Sequence, residues 1–324
     1  MDDLRGKRVL ITGGAGFVGA NLTRTLLHSG AEVHALVRPS TRLWRIAEVI
    51  PKLSLHLVNL TQREELQRTV NTIRPEVIFH LAVHRAYLTQ QDRWETLQNN
   101  IQGTVNLLEA VTPLDYHRFI HFGSSLEYGA RKEPIKESDG REPTVFYGAT
   151  KAAATLLCLQ FARADRRPIV VLRPFSVYGY WEMPTRLIPT AIMAALRNQE
   201  IALTAAGYRH DFIFIEDLVE ACLLTLRAKR VAGEIINVGS GQQWSNEDVV
   251  EMVQGLSGRK ANLRVGEYPA RPWDTTNWVA DNRKAKRLLG WEPRHTLRSG
   301  LKKTIAWFQL HKEAYADRLT QQGE

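Results

Sequence analysis

The sequence predicts an α/β fold, a doubly wound parallel sheet with helices on both faces. Two observations predict it. Short β-branched runs alternate with helix-forming stretches from residue 8 to residue 173. The first run enters a turn with glycines at positions 13, 16 and 19, and a helical stretch comes at once after it. Alternating strands and helices require parallel pairing with right-handed crossovers. Strands this apolar need helices on both faces of the sheet.

"RVLIT" (8–12) is the first strand and "GFVGANLTRTLLHSG" (16–30) its helix. "EVHALV" (32–37) and "LSLHLV" (53–58) are strands, rich in the branched residues that suit a pleated, buried surface. "QREELQRTVNTI" (62–73) is helical, and "EVIFHLA" (76–82) is the next strand. One long helix is expected over "DRWETLQNNIQGTVNLLEAV" (92–111), then the strand "RFIHFG" (118–123). "YGATKAAATLLCLQFARA" (147–164) is rich in helix formers, and Thr144 stands where it caps the start. "PIVVLR" (168–173) closes the series.

Bulk properties bound the function. A chain of 324 residues with 44% hydrophobic and 24% charged residues suits one large domain or two fused lobes. No apolar run reaches membrane-spanning length, and "MDDLRGKRVLITGG" is acidic where a signal peptide is basic, so a cytoplasmic enzyme is expected. Cys158 and Cys222 lie in apolar helical contexts and read as buried free thiols. No His, Cys or carboxylate spacing suits a metal, and none is expected. The net charge of +9 asks for acidic partners. The basic residues are scattered rather than interleaved with aromatics, so nucleic acid is not expected. A phosphorylated cofactor and a phosphorylated substrate fit this charge.

The glycine turn points to a dinucleotide. Gly13 allows the tight turn, Gly16 lets backbone approach a pyrophosphate, and Gly19 lets the helix pack on the strand. The second strand ends at Val37 where an NAD-preferring chain carries an acid. Arg38, Ser40, Thr41 and Arg42 come next and suit a ribose 2′-phosphate. NADP is therefore expected, with NAD as the alternative.

A tyrosine precedes a lysine by four residues twice, at Tyr128–Lys132 and at Tyr147–Lys151. On a helix that spacing puts both on one face, where Lys⁺ can stabilise a phenolate for proton transfer. Pro134, Gly140 and Pro143 break any helix after Tyr128, whereas 147–164 is free of proline. Tyr147 and Lys151 are thus the expected pair, and Lys132 and Lys136 are solvated loop charges. "FGSSLEYG" (122–129) ends a strand, where reacting groups gather, so the hydroxyls of Ser124 and Ser125 are candidates to hold a substrate oxygen.

Taken together, "TGGAGFVG" (12–19), "HLAV" (80–83), "NNIQGTVNLLEA" (99–110), "GSSLEYG" (123–129), "YGATK" (147–151), "LRPFSVYG" (172–179), "RHDFIFIEDL" (209–218), "INVGSG" (236–241) and "RPWDTTNWVADNRKAKRLLGWEP" (271–293) span nearly the whole chain. In that order they resemble the extended short-chain dehydrogenase/reductase family, in its branch of nucleotide-sugar epimerases, dehydratases and reductases. The resemblance implies a Rossmann domain over 1–174 and a smaller mixed α/β C-terminal substrate lobe over 175–324, with the chain crossing back to the large sheet around 209–240. It makes Tyr147 the catalytic tyrosine, Lys151 its partner and the holder of the nicotinamide ribose, and Ser124 the catalytic hydroxyl. It places Gly13, Gly16, Phe17, Val18, Gly19, Arg38, Ser40, Asn59, Leu60, Leu81, Ala82, Val83, Asn100 and Pro174 around the cofactor. It places His84, Arg85, Ser124, Ser125, Ser176, Arg186, Arg209, His210, Arg271 and Asp274 around a nucleotide-diphosphate sugar. His210 stands where the family usually has arginine, so Arg209 is the alternative phosphate ligand. It also implies a homodimer through a four-helix interface built from the helices near 91–111 and 147–164, whose apolar stripes include Leu97, Ile101, Val105, Leu108, Leu156 and Leu159, with Leu157 and Phe161 beside them.

The branches share hydride transfer at a sugar carbon and differ in the step after it. In this resemblance a 4,6-dehydratase carries an acidic pair just after the catalytic hydroxyl, where this chain has Ser125 and Leu126. Glu127 comes one place late, and a strand-like turn would aim it at the other face. A 4-keto reductase and a 4-epimerase need only Ser124, Tyr147 and Lys151. The NADP pattern favours the reductase, with the epimerase as the alternative. A non-catalytic dinucleotide-binding scaffold is disfavoured because all three residues are present.

Overall fold

The computed structural model describes residues 4–84, 92–260, 262–271, 274–313 and 315. The strands of the first half are β1 (Arg8–Thr12), β2 (Glu32–Val37), β3 (Ser54–Leu57), β4 (Val77–His80), β5 (Arg118–Phe122) and β6 (Ile169–Pro174). Between them lie α1 (Phe17–His28), α2 (Arg63–Ile73), α3 (Arg93–Leu97), α4 (Gly103–Val111) and α5 (Phe146–Ala164). The second half contributes β7 (Ser176–Tyr178), α6 (Leu187–Arg197), β8 (Glu200–Leu203), β9 (Arg209–Phe214), α7 (Ile215–Arg227), β10 (Ile235–Val238), β11 (Gln243–Ser245), α8 (Asn246–Ser257), β12 (Asn262–Val265), α9 (Arg283–Leu289) and α10 (Leu297–Leu310).

The large sheet has seven parallel strands in the order β10-β6-β5-β4-β1-β2-β3. Strand order reverses between β1 and β4, where Thr12 pairs His80, and a crevice opens beyond the carboxyl ends there. The two faces read directly from the alternation of buried side chains. Val9, Ile11, Phe79 and Ile120 face one core with Leu22 and Leu26 of α1 and Leu218 and Cys222 of α7. Leu10, Ile78, Phe119 and Val171 face the other with Leu66 of α2, Leu107 of α4 and Cys158 of α5. Both cysteines are free and buried.

In the second half β7, β9 and β11 form a three-stranded sheet and β8 and β12 a two-stranded one. The segment 209–240 is split: β9 stays in the small sheet, while β10 adds to the edge of the large one.

Three local expectations are corrected. The stretch 92–111 is not one regular helix, because Gln98–Gln102 form a π turn between α3 and α4. Inside that turn the buried Asn100 accepts from the His84 N–H (2.8 Å) and donates to Thr150 Oγ1 (3.0 Å). Those bonds favour the wider turn that aims its side chain there. Thr144 does not cap α5, whose N-cap is Val145 with no side-chain cap. The residues after Ser124 are a 3₁₀ turn, Ser125–Glu127, rather than strand-like.

Candidate active site

The glycine turn has the shape its sequence requires. Gly13 has φ of +71°, and a Cβ there would lie 2.7 Å from the Ala82 nitrogen. A Cβ on Gly19 would lie 2.1 Å from the Gly13 carbonyl oxygen, so α1 starts hard against β1. Gly16 is the exposed N-cap of α1 and offers no side-chain cap. The first N–H groups of α1 and its positive dipole end therefore face the crevice. Phe17 and Val18 are half-buried beside them. Leu81–Val83 continue β4 along the turn, held by an Ala82 N–H to Thr12 Oγ1 bond of 3.1 Å. A glycine cradle, a bare helix end and flanking backbone fit a dinucleotide pyrophosphate.

The adenosine side is less simple than the sequence suggests. Asn59 bonds its own turn, accepting from the Thr61 N–H at 3.1 Å, and Leu60 is buried. Ser40 is exposed. Arg38 does not project alone: its guanidinium lies 3.3 Å from His84 Nδ1 and 3.5 Å from Glu95 Oε1. His84, expected beside the substrate, is buried against this pair, and Arg85 lies outside the described residues.

The candidate reacting groups lie just past the end of β5 and in the first two turns of α5. Ser124 leaves β5 extended and caps the next turn, where Ser124 Oγ accepts from the Leu126 N–H at 3.2 Å. Ser125 is turned inward, its Oγ accepting from Trp278 Nε1 at 3.3 Å, so of the two hydroxyls only that of Ser124 stays half-buried at the crevice. Tyr147 sits in the first turn of α5, half-buried, and Lys151 one turn later is almost fully buried. Gly148 makes this approach possible. A Cβ there would lie 2.2 Å from the Leu126 carbonyl oxygen. The "YG" after Phe146 thus reports contact between helix and turn, a signal the sequence carries but spacing arguments overlook. Thr150 completes the brace, donating to the Tyr147 carbonyl at 2.8 Å while accepting from Asn100.

Burial drives the electrostatics here. Desolvation lowers the Lys151 pKa to about 8, and Glu127 and Cys158 act in the opposite direction. His80 and His121 lie beneath it, rings 5.3 Å apart. Burial, reinforced by Lys151, brings His80 down to about 3 and His121 well below its ordinary value, so both are neutral. His80 is braced by Thr12 (2.7 Å) and Thr104 (2.9 Å). Tyr128 is no proton-transfer group: it is fully buried and donates to Asn237 Oδ1 at 2.8 Å, while Lys132 is exposed. Glu127 is unavailable to a substrate because it is fully buried against Arg173.

A second cluster belongs to the C-terminal half. His210 Nε2 lies 3.8 Å from Asp274 Oδ1, and Asp274 Oδ2 accepts from the Arg271 N–H at 2.8 Å. The Arg271 guanidinium bonds Tyr268 Oη at 3.0 Å and lies over its ring. Burial first, then the charges of Arg186 and Arg271, bring the His210 pKa down to about 4. Arg186 precedes α6, its Nε 3.8 Å from Glu182 Oε1. The structure therefore gathers Arg186, His210, Arg271 and Asp274. Arg209 does not join them, since neighbours in a strand point to opposite faces and its side chain is exposed. Pro174 and Ser176 are half-buried on the chain between the two clusters.

Comparison with known proteins fits this geometry. The family model described as "NAD dependent epimerase/dehydratase family" matches residues 9–239. A dTDP-glucose 4,6-dehydratase of Neisseria meningitidis serogroup B is 30% identical, over 94% of each chain. An epimerase from Methanothermobacter thermautotrophicus superposes with a TM-score of 0.89 at 32% identity, covering 96% of this chain and 95% of that one. A UDP-glucuronic acid 4-epimerase from Bacillus cereus, solved with UDP-glucuronic acid and NAD, superposes with a TM-score of 0.85 at 27% identity, covering 93% and 99%. The chain is an enzyme of the NAD-dependent epimerase/dehydratase family, the extended short-chain dehydrogenases/reductases whose nucleotide-sugar branch its sequence resembles.

Proposed function

We propose that the chain moves hydride at C4 of a nucleotide-diphosphate sugar, and that its net reaction is 4-epimerisation. One observation carries this reading. Ser124 and Tyr147 stay half-buried on either side of the Gly148–Leu126 approach with Lys151 one turn behind, while the neighbouring carboxylate, Glu127, is buried against Arg173. Such a site handles one hydroxyl proton, and beside Ser124 the described residues hold no spare acid to expel a second hydroxyl, as dehydration requires. The solved epimerases that resemble the chain support the same reading.

A nicotinamide dinucleotide bound at Gly13–Gly19 supplies the hydride transfer. The remaining work falls to the chain. Tyr147 Oη takes the C4 hydroxyl proton and later returns it. The Lys151 ammonium stabilises the phenolate and holds the nicotinamide ribose. The Ser124 hydroxyl steers the substrate oxygen. Arg186, His210 and Arg271 hold the diphosphate, and residues 175–324 act mainly as the nucleotide-sugar lobe.

A second reading, an NADP-dependent reductase of a 4-keto sugar, is favoured by Val37 and Arg38 at the end of β2. Purified protein assayed with separate nucleotide sugars distinguishes the two. Inversion at C4 without net absorbance change at the nicotinamide band supports the epimerase. Stoichiometric NADPH consumption with a 4-keto sugar supports the reductase.

We also propose a homodimer through α3, α4 and α5. Leu156 and Trp94 are exposed there, and Leu97, Ile101, Val105, Leu157 and Phe161 are only half-buried. Leu108 and Leu159 face the sheet instead. An apolar surface this broad across α3, α4 and α5 suits a self-complementary two-fold interface.

A further inference from the structure

Glu127 and Arg173 form an ion pair of 2.5 Å in which neither side chain reaches solvent. Removing one partner of such a pair is costly, so its retention calls for a reason. The contacts of Glu127 give one. Its Oε1 accepts from the Ser124 backbone N–H (2.9 Å) and from Thr155 Oγ1 (2.9 Å). Its Oε2 accepts from Arg173. Thr155 lies four residues after Lys151, which lies four after Tyr147, so the three share one face of α5. The carboxylate thus ties the serine turn to the tyrosine–lysine face. Arg173, over the Tyr128 ring at 4.4 Å, ties both to β6. Gly123 leaves the room: a Cβ there would lie 2.5 Å from Glu127 Oε1.

The charges around Lys151 point the same way. His80 of β4 and His121 of β5 face it and are neutral. Cys158 of its own helix is held protonated by burial. Arg173 of β6 adds positive charge near His121. Among these described groups Glu127 is the only anion that acts on Lys151.

We propose that Glu127 is a positioning residue: its carboxylate fixes Ser124 against the Tyr147–Lys151 face and stands as the counter-charge on that face of α5. This rests on the reading of those three residues as the proton-handling group. The carboxylate opposes the burial that lowers Lys151 to about 8. Without it, Lys151 loses its proton at lower pH.

The test is NADH affinity measured against pH by nicotinamide fluorescence, which needs no sugar substrate. In the wild type, affinity falls at alkaline pH as Lys151 deprotonates. Glu127→Gln keeps the shape and removes the charge. Its alkaline midpoint is expected to move down by about half a pH unit or more. Where that variant does not fold, Glu127→Gln with Arg173→Met removes both buried charges and carries the same expectation. A folded variant whose midpoint stays within about 0.2 units overturns the proposal. Lys151→Met is the control. If it keeps the alkaline fall, the fall does not belong to Lys151 and the reading of the site fails, whatever Glu127 does.

Discussion

Adding one methyl group to each of two glycines separates the cradle's two tasks. In Gly19→Ala the new Cβ would sit 2.1 Å from the Gly13 carbonyl oxygen and 2.8 Å from Gly14 Cα. An ordinary carbon–oxygen contact is about 3.3 Å, so α1 must retreat from β1 by about 1 Å. Both neighbours are backbone, so no side chain can swing aside. Overpacking of this kind costs about 1–3 kcal/mol. The same shift misplaces the helix end, so dinucleotide affinity falls by about tenfold or more. In Gly16→Ala the Cβ meets only the Gly13 oxygen, at 3.1 Å, and otherwise open space. Stability is then nearly unchanged, but the methyl group stands where a pyrophosphate approaches the helix end. Thermal unfolding and NADH fluorescence titration on both variants provide the assay. The expected result is loss of stability and binding in Gly19→Ala, and loss of binding alone in Gly16→Ala. Wild-type NADH affinity in Gly16→Ala would refute the cradle as the pyrophosphate seat.

Tyr147→Phe is expected to abolish turnover while sparing NADH affinity, whereas Tyr128→Phe keeps turnover but loses about 1–3 kcal/mol by stranding Asn237 Oδ1; the reverse ranking would show that the wrong tyrosine is assigned. Arg38→Ala should lower any preference for NADPH over NADH, and Glu95→Gln should raise it by releasing Arg38; competitive titration of the two cofactors reads both. His121 has a folded pKa held well below its unfolded value of 6.5, so its contribution to stability is present above pH 6.5 and is lost as the pH falls below it. Both its ring nitrogens are buried without partners in the structure, so His121→Phe should lose less stability than the wild type between pH 6.5 and pH 4, as urea unfolding would show. Phe161→Glu should yield a monomer in sedimentation at micromolar concentration, and a dimeric variant would count against the α3–α5 interface.

Much of the fold is legible in the sequence because its strands are buried on both sides. "RVLIT" and "EVHALV" match β1 and β2 residue for residue. The preference for Tyr147–Lys151 over Tyr128–Lys132 rests on proline and glycine placement, which acts locally and so can be read locally. Features set by tertiary contact escape such a reading. The π turn exists because Asn100 bonds His84 and Thr150, residues distant in sequence. Ser125 looks like a second reactive hydroxyl until Trp278 arrives from the far end of the chain. A strand-like geometry would aim Glu127 at the far face of the sheet, whereas a 3₁₀ turn carries it inward to Arg173. Arg38 reads as an open 2′-phosphate ligand because Glu95, fifty-seven residues later, is invisible to a local reading. That pairing weakens the case for NADP and for a net reductase, and shifts weight to the epimerase.

The most direct test of the account uses nucleotide sugars carrying deuterium at C4, incubated with the protein and NAD and monitored by NMR. Hydride removed from C4 and returned to the opposite face of the same carbon gives a C4-inverted sugar that keeps its deuterium, with no net change in nicotinamide absorbance. Inversion with loss of deuterium to water would contradict hydride transfer at C4, and loss of the C6 hydroxyl from the product would contradict 4-epimerisation as the net chemistry of this site.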